Sequence, residues 1–305
     1  MRQAKNATFL FYRDFMEYHS DRFEDASILI FKKGRLVALL PACQEDKRIY
    51  SHKGLTYGGV LVGSDLKFKS VLECVEEALK FYDNLGFQEL EFKITPPIYN
   101  KYPSDELLYL MKILDATLIR RDMLSVVDLK QPLKYSKDRL DGIKRAQKAG
   151  LSIKANDSFD EFWESILIPN LQKKHGVNPV HSLEEIKLLK RRFPENIIQF
   201  NVYDGLKIVA GTTLFISDNV VHSQYISANE AKNITGSLDI LHHVLLTEVF
   251  QEKQYFDFGI SNENNGVNVN SGLQYWKEGF GARAIVQDFY KLSIADYYKL
   301  STVLK

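Results

Sequence analysis

VVHSQYISANEAKNITGSLDILHHVLLTEVFQEKQYFDFGIS, residues 220–261, reads as a strand, a turn holding Gly236, an amphipathic helix and a buried strand. Within the helix Leu238, Leu241, Leu245 and Val249 recur at three or four residues, the spacing of one helical face. Thr235, Gly236 and Ser237 mark its start, because hydroxyl and small residues serve the unpaired amides of a first turn. Just upstream, NIIQFNVYDGLKIVAGTTLFIS (196–217) reads as two strands joined at Gly205.

The same order occurs once before. ASILIFKKGRLVALLPACQ gives two strands around Gly34, LTYGGVLVGS a third around Tyr57, and KSVLECVEEALKFYDNLGF a helix with Val71, Leu72, Val75, Leu79 and Tyr82 on one face, closed by Gly86. QELEFKITP then gives a buried strand. Each copy continues with a further helix and strands, PSDELLYLMKILDATL before MLSVVDL and SGLQYWKEGF before ARAIVQDFYKL. Repetition of element order at similar spacing points to two α+β units of one topology, expected at 1–135 and 136–305.

A chain of 305 residues, 45% apolar and 26% charged, is globular in composition and long enough for two cores. No apolar run approaches the length of a membrane span, and the N-terminus lacks a signal-peptide pattern, so a cytoplasmic location in a bacterium is the expectation. Cys43 and Cys74 have no C-x-x-C spacing and read as buried thiols, and no metal site is expected. A net charge of +1 argues against a large nucleic-acid footprint, so DNA is excluded as a partner and tRNA is disfavoured. Between the copies, Lys130 to Lys154 holds eight Lys or Arg and two Asp; its helix is either a solvated face or a phosphate-facing one.

Several residues read as chemistry-bearing. His175 and His181 flank Pro179 in a polar stretch, and His52 precedes the turn Gly54–Gly59. Asp257 alternates against Tyr255, Phe256 and Phe258 in a strand that otherwise reads as buried, so it either anchors a loop or lines a cleft. Tyr57 and Gly58 offer either a ligand wall or a bulge. After Asp257 come Asn262, Asn264, Asn265 and Gly266, which suit a loop with unusual backbone angles; Ser261, Glu263 and Asn270 are the candidates there to line a site. His242 and His243 sit in an amphipathic helix and read as packing residues, as do Trp276 and Phe280.

The segments FMEYHSDRFEDAS, SHKGLTYGGV, IKRAQKAG, KHGVNPVHSLEEI, QYIS, GSLD, FDFGIS and WKEGFGAR, spread over nearly the whole chain, resemble the Fem-type family of tandem GNAT acyltransferases, close to the acyltransferase-like proteins of bacterial surface-polysaccharide clusters. The resemblance implies two GNAT folds, each a mixed, mostly antiparallel sheet flanked by helices. It implies an N-acyltransferase with acetyl-coenzyme A or another acyl-coenzyme A as co-substrate, acting on the amine of a small, possibly nucleotide-linked, sugar precursor. The donor would lie on the strand and loop of the second unit, at Tyr225, Ile226, Ser227, Lys232, Asn233, Gly236 and Ser237, with acceptor phosphates at Lys144, Arg145 and Lys148. GNAT enzymes often show R/Q-x-x-G-x-G/A before this helix, whereas AKNITGSLD has a single glycine. The alternatives are an aminoacyl-tRNA-dependent Fem-type transferase of cell-wall precursors, or a catalytically silent protein that binds a glycan or nucleotide.

Overall fold

The computed structural model describes residues 2–156 and 159–305, with the side chains of Asn156 and His175 outside the description. Two compact units emerge: Met1–Asp122 with Val286–Lys305, and Met123–Ile285. This differs from the expected single division at 135/136, and strand pairing is the reason. Leu124–Asp128 is bound antiparallel to Tyr255–Ile260, which assigns it to the second unit, while Phe289–Ser293 is bound antiparallel to Glu89–Lys93 in the first. Pairing is set by hydrogen bonds distant in sequence, which local composition does not reveal.

In the first unit Ile28–Lys32, Arg35–Leu40 and Leu61–Val62 form an antiparallel sheet. A second sheet runs Glu24–Asp25, Cys43–Glu45, Arg48–Tyr50, Glu89–Lys93 and Phe289–Ser293. Its parallel strand pair joins Arg48–Tyr50 to Glu89–Lys93, and the helix Phe68–Asn84 makes the crossover that parallel strands require. That helix buries Val71, Leu72, Val75, Ala78, Leu79 and Tyr82, as its periodicity predicts. The expected third strand around Tyr57 forms only at Leu61–Val62, and a further short strand, Arg48–Tyr50, follows a turn at Asp46 with φ 54°. Three residues are too few for alternation to show in sequence.

The second unit is one sheet in the order Leu124–Asp128, Tyr255–Ile260, Val220–Ala228, Lys207–Ile216, Ile197–Asp204 and Ser152–Asn156. All contacts are antiparallel except Val220–Ala228 on Tyr255–Ile260. The helix Ser237–Val244 runs on into a π turn, Leu245–Val249, and packs Leu238, Leu241 and Leu245 on Phe256, Phe258 and Phe280. Ser136 caps the helix Lys137–Lys148, and a reciprocal Ser182/Glu185 capping box starts Leu183–Arg192. Both cysteines are buried free thiols. Among the described residues no helix is long and apolar enough to cross a membrane, and no cluster of metal-ligating side chains forms.

Candidate active site

The parallel strands of the second unit share three rungs, Val220 with Tyr255, Val221 with Phe256 and His222 with Asp257, and then part. Past that point no strand pairs with Ser223–Ala228 on this side among the described residues. Gly259 adopts φ 70° and shifts the register of its strand against Leu124–Asp128, so the chain bends where the rungs end.

Chemistry is concentrated at the last rung. Asp257 is 1% exposed and accepts twice, from the Gly259 amide on Oδ1 at 2.7 Å and from His222 Nδ1 on Oδ2 at 3.0 Å. Of the two roles left open by the sequence, these bonds show the first, anchoring the bend. A carboxylate on Nδ1 places the imidazole proton there and leaves the Nε2 lone pair as a base. The His222 ring lies close over Gly259: a methyl group at that glycine would be 3.3 Å from Cε1.

Lys277 enters from the helix Ser271–Glu278, is 2% exposed, and donates to the carbonyls of Gly259 at 3.0 Å and Ile260 at 2.7 Å. Burial pushes its pKa down to about 8, with Asp257 opposing the shift. An ammonium has three donors, so one remains after these two bonds. The neighbouring Ser261 is buried, and its hydroxyl has no hydrogen-bond partner among the described residues.

A second cluster lies on the part of the strand that has left its neighbour. Tyr225 OH accepts from the His181 amide at 3.1 Å and lies 2.7 Å from His181 Nδ1. Burial pushes Tyr225 up to about 12, so it stays a donor at neutral pH. Asn170 fixes the strand end through Ser227 Oγ at 2.8 Å and the Ala228 carbonyl at 2.7 Å. Ile226 lies between, half-buried.

The loop expected to hold a pyrophosphate is built differently. Lys232–Thr235 is a helical turn, and the amides of Ala231, Lys232, Ile234, Thr235, Gly236, Asp239 and Ile240 all donate to acceptors within residues 229–236. Gly236 and Ser237 are buried under the helix Lys137–Lys148, so closely that a methyl group at Gly236 would lie 2.0 Å from the Gly142 carbonyl oxygen. Asp239 is held by Arg139 and by Trp276 Nε1 at 3.0 Å, although burial still raises its pKa. An anion site needs free, exposed amides at the helix start. Here most of these amides are occupied, and Gly236 and Ser237 are buried. Lys232 is half-buried, Arg145 donates to the Asn233 carbonyl at 3.2 Å, and Lys144 and Lys148 are exposed on the same helix, so the basic face borders this turn.

Other expected residues have structural work. Tyr57 is 2% exposed, donates to Thr8 Oγ1 at 3.0 Å and packs on Phe11 and Tyr99, so it presents no wall to a ligand. The close approach at Gly58 is to the Ser51 carbonyl. His52 is buried and stacked on His19 at 4.9 Å, and burial with that neighbour lowers it to about 4, which keeps it neutral. Asn270 caps its helix by accepting from Leu273 N at 3.0 Å and donates to Glu263 at 3.1 Å. Asn264, Asn265 and Gly266 all have positive φ, as their composition suggests. The side chain of His175 lies outside the described residues.

The sequence reading missed His222 and Lys277. His222 acquires meaning only from the rung that sets it against Asp257. Lys277 did leave a signal, since it lies four residues after Leu273 and three before Phe280, on an apolar helix face.

No family model matches the chain, and no curated protein matches it by sequence. Solved structures do. FemX superposes with a TM-score of 0.67 over 98% of this chain and 96% of its own, at 10% identity. L-PGS from Bacillus licheniformis gives 0.57 over 87% and 83% at 13% identity, and the tandem GNAT protein of the clavulanic acid pathway 0.50 over 90% and 86% at 13%. The chain has a tandem GNAT fold. At such identities the likeness carries the fold and no residue role. In this tandem GNAT chain, the gap beyond His222 lies between the parallel strands Val220–Ala228 and Tyr255–Ile260.

Proposed function

We propose that the second unit transfers an acyl group, aminoacyl groups included, to an amine at the point where Val220–Ala228 and Tyr255–Ile260 part. The observation that carries this reading is the last rung, where a histidine oriented by a buried carboxylate stands beside a buried lysine. Amide formation needs a base for the amine proton and a donor at the developing oxyanion. His222 Nε2 serves as the base, Asp257 orients it, and the third donor of Lys277 faces the oxyanion. The attacking amine forms the C–N bond and gives its proton to His222, the C–O or C–S bond of the donor breaks, and the imidazolium returns that proton to the leaving alkoxide or thiolate, which departs as alcohol or thiol.

For the donor, the internally bonded turn Lys232–Thr235 and the covered Gly236–Ile240 favour an aminoacyl ester over acyl-coenzyme A. The acyl-coenzyme A reading rests on the exposed cations Lys144, Arg145 and Lys148 beside that turn. For the acceptor, an amine on a nucleotide-linked envelope precursor is supported by the sequence resemblance. Thermal-shift titration with coenzyme A and acetyl-coenzyme A, run beside a transfer assay with charged tRNA, separates the donors. Saturable stabilisation by acetyl-coenzyme A would overturn the ester preference. Full turnover by Asp257→Asn would overturn the assignment of the site.

A further inference from the structure

On the face of the second sheet that carries His222, a donor and an acceptor lie beside one tyrosine without hydrogen-bond partners among the described residues: Trp163 Nε1 and Gln224 Oε1. Strand register sets that face. His222 opposes Phe215 and Tyr225 opposes Thr213, and both Phe215 and Tyr225 pack on the His181 ring. The register shifts between Thr213 and Leu214, so Gln224 is the extra residue of a bulge, which turns the odd spacing from His222 to Tyr225 into a shared face. The other face of the strand, through Val221 and Ile226, belongs to the apolar core.

Burial raises the Tyr225 pKa, and a hydrogen bond from the Gln224 side chain opposes that rise, which assigns the Gln224 NH2 to the tyrosine and leaves Oε1 as the free acceptor. Trp163 is 0% exposed and stands edge-on to the Tyr225 ring at 5.0 Å, in the π turn Trp163–Leu167 that widens its helix. A buried indole N–H and a buried amide oxygen each cost free energy unless something bonds them, and together they call for a group that accepts one hydrogen bond and donates another. A carboxylate would need a cation there, and an ammonium a carboxylate. The carboxylate whose field reaches Tyr225 is Glu185, which the Ser182 amide already holds at 2.7 Å, and Glu161 is held by Tyr203 OH at 2.6 Å. A neutral hydroxyl or carboxamide fits. Gln224 stands two residues past His222, about 7 Å along an extended strand, within reach of the side chain of an acyl group whose carbonyl lies at the last rung.

We propose that Trp163 Nε1 and Gln224 Oε1 select a transferred acyl group that bears a neutral hydroxyl or carboxamide, as a seryl, threonyl, asparaginyl or glutaminyl group does. This rests on acyl transfer at the last rung, but binding can be read apart from turnover. The chain has two tryptophans, so the indole N–H signal lost in Trp163→Phe identifies Trp163 in a nitrogen–proton correlation spectrum of the full chain. Titration with L-serine methyl ester should move that signal saturably, and L-alanine methyl ester, which lacks the hydroxyl, should not. Gln224→Leu should abolish the serine response while the Trp276 signal stays in place, which shows the fold intact. An equal response to both esters, or a serine response that survives Gln224→Leu, overturns the proposal. So does the absence of any response up to the solubility of the serine ester, since water then fills the site. In the transfer assay seryl-tRNA should exceed alanyl-tRNA in kcat/KM on the order of tenfold or more, with Gln224→Leu near parity. No transfer from either donor counts against the ester reading alone, because the indole titration still decides the pocket.

Discussion

Each unit contains one parallel strand pair with three rungs, and the two pairs differ beyond the third. In the first unit the rungs are Arg48 with Glu89, Ile49 with Leu90 and Tyr50 with Glu91. Ser51 then bonds to Glu91 O and Lys93 N, both at 2.9 Å, the chain loops out through His52, and Gly58 N returns to Lys93 O at 2.6 Å. Thr95 Oγ1 secures the Gly58 carbonyl at 2.9 Å, and the Lys93 ammonium fills the loop by donating to Leu55 O. The separation is thus sealed by main chain. In the second unit no strand rejoins among the described residues. The carbonyls beyond the last rung are taken by Lys277, and the rung itself is His222 with Asp257 where the first unit has Tyr50 with Glu91. A sealed gap serves stability, and the open one beside His222 and Asp257 is where we propose the chemistry. One topology thus supports two uses.

The strongest attempt to break that contrast is substitution of the third rung. His222→Ala and Asp257→Asn should each lower turnover by about 10²–10⁴-fold, the range for loss of general-base catalysis. His52→Ala in the first unit should leave the rate of acyl transfer unchanged and lower the melting temperature. Steady-state kinetics beside calorimetry reads both, and a turnover collapse in His52→Ala would remove the distinction.

Next in size is Arg139→Met, which strands the buried Asp239 carboxylate at the covered helix start. A loss of about 3–5 kcal/mol is expected in urea denaturation. Gly58→Ala places a methyl group 1.9 Å from the Ser51 carbonyl and should lose about 1–3 kcal/mol through overpacking of the sealed gap. Gly259→Ala meets only His222 at 3.3 Å, with left-handed strain of about 1–2 kcal/mol, and should damage turnover more than stability because it displaces the base.

The smallest effect concerns pH. Lys277 has its folded pKa lowered to about 8 from 10.5 in the unfolded chain. Between those values the unfolded chain binds more protons, so this residue's contribution to stability rises with pH across that window and is lowest below pH 8. Activity moves the opposite way if the ammonium serves the oxyanion. The rate should fall as pH rises through about 8, and Lys277→Arg, which stays charged, should lack that limb of the profile.

Much of the fold was legible in the sequence because its signals are local. The periodicity of Val71–Tyr82 and Leu238–Val249, the glycine turns and the repeated order of elements all arise from side chains a few residues apart. Less of the site could be read. Asp257 showed itself as a charge in a buried strand, but its partner His222 lies 35 residues away and meets it through strand register. The pyrophosphate expectation rests on the resemblance and on a helix start that holds Gly236 with Lys232 nearby. Burial of that helix start depends on where Lys137–Lys148 packs, which the glycine does not report.

Taken alone, the sequence determined which segments are helix and strand, the presence of two similar units, and the candidate carboxylate, since propensity and periodicity are encoded within a turn or a few residues. Tertiary structure decided where each unit ends, that Tyr57 belongs to a core, and that His222 and Asp257 meet at one rung with Lys277 bonded to the carbonyls just beyond it. Those are matters of hydrogen-bond register and of packing between segments far apart in the chain.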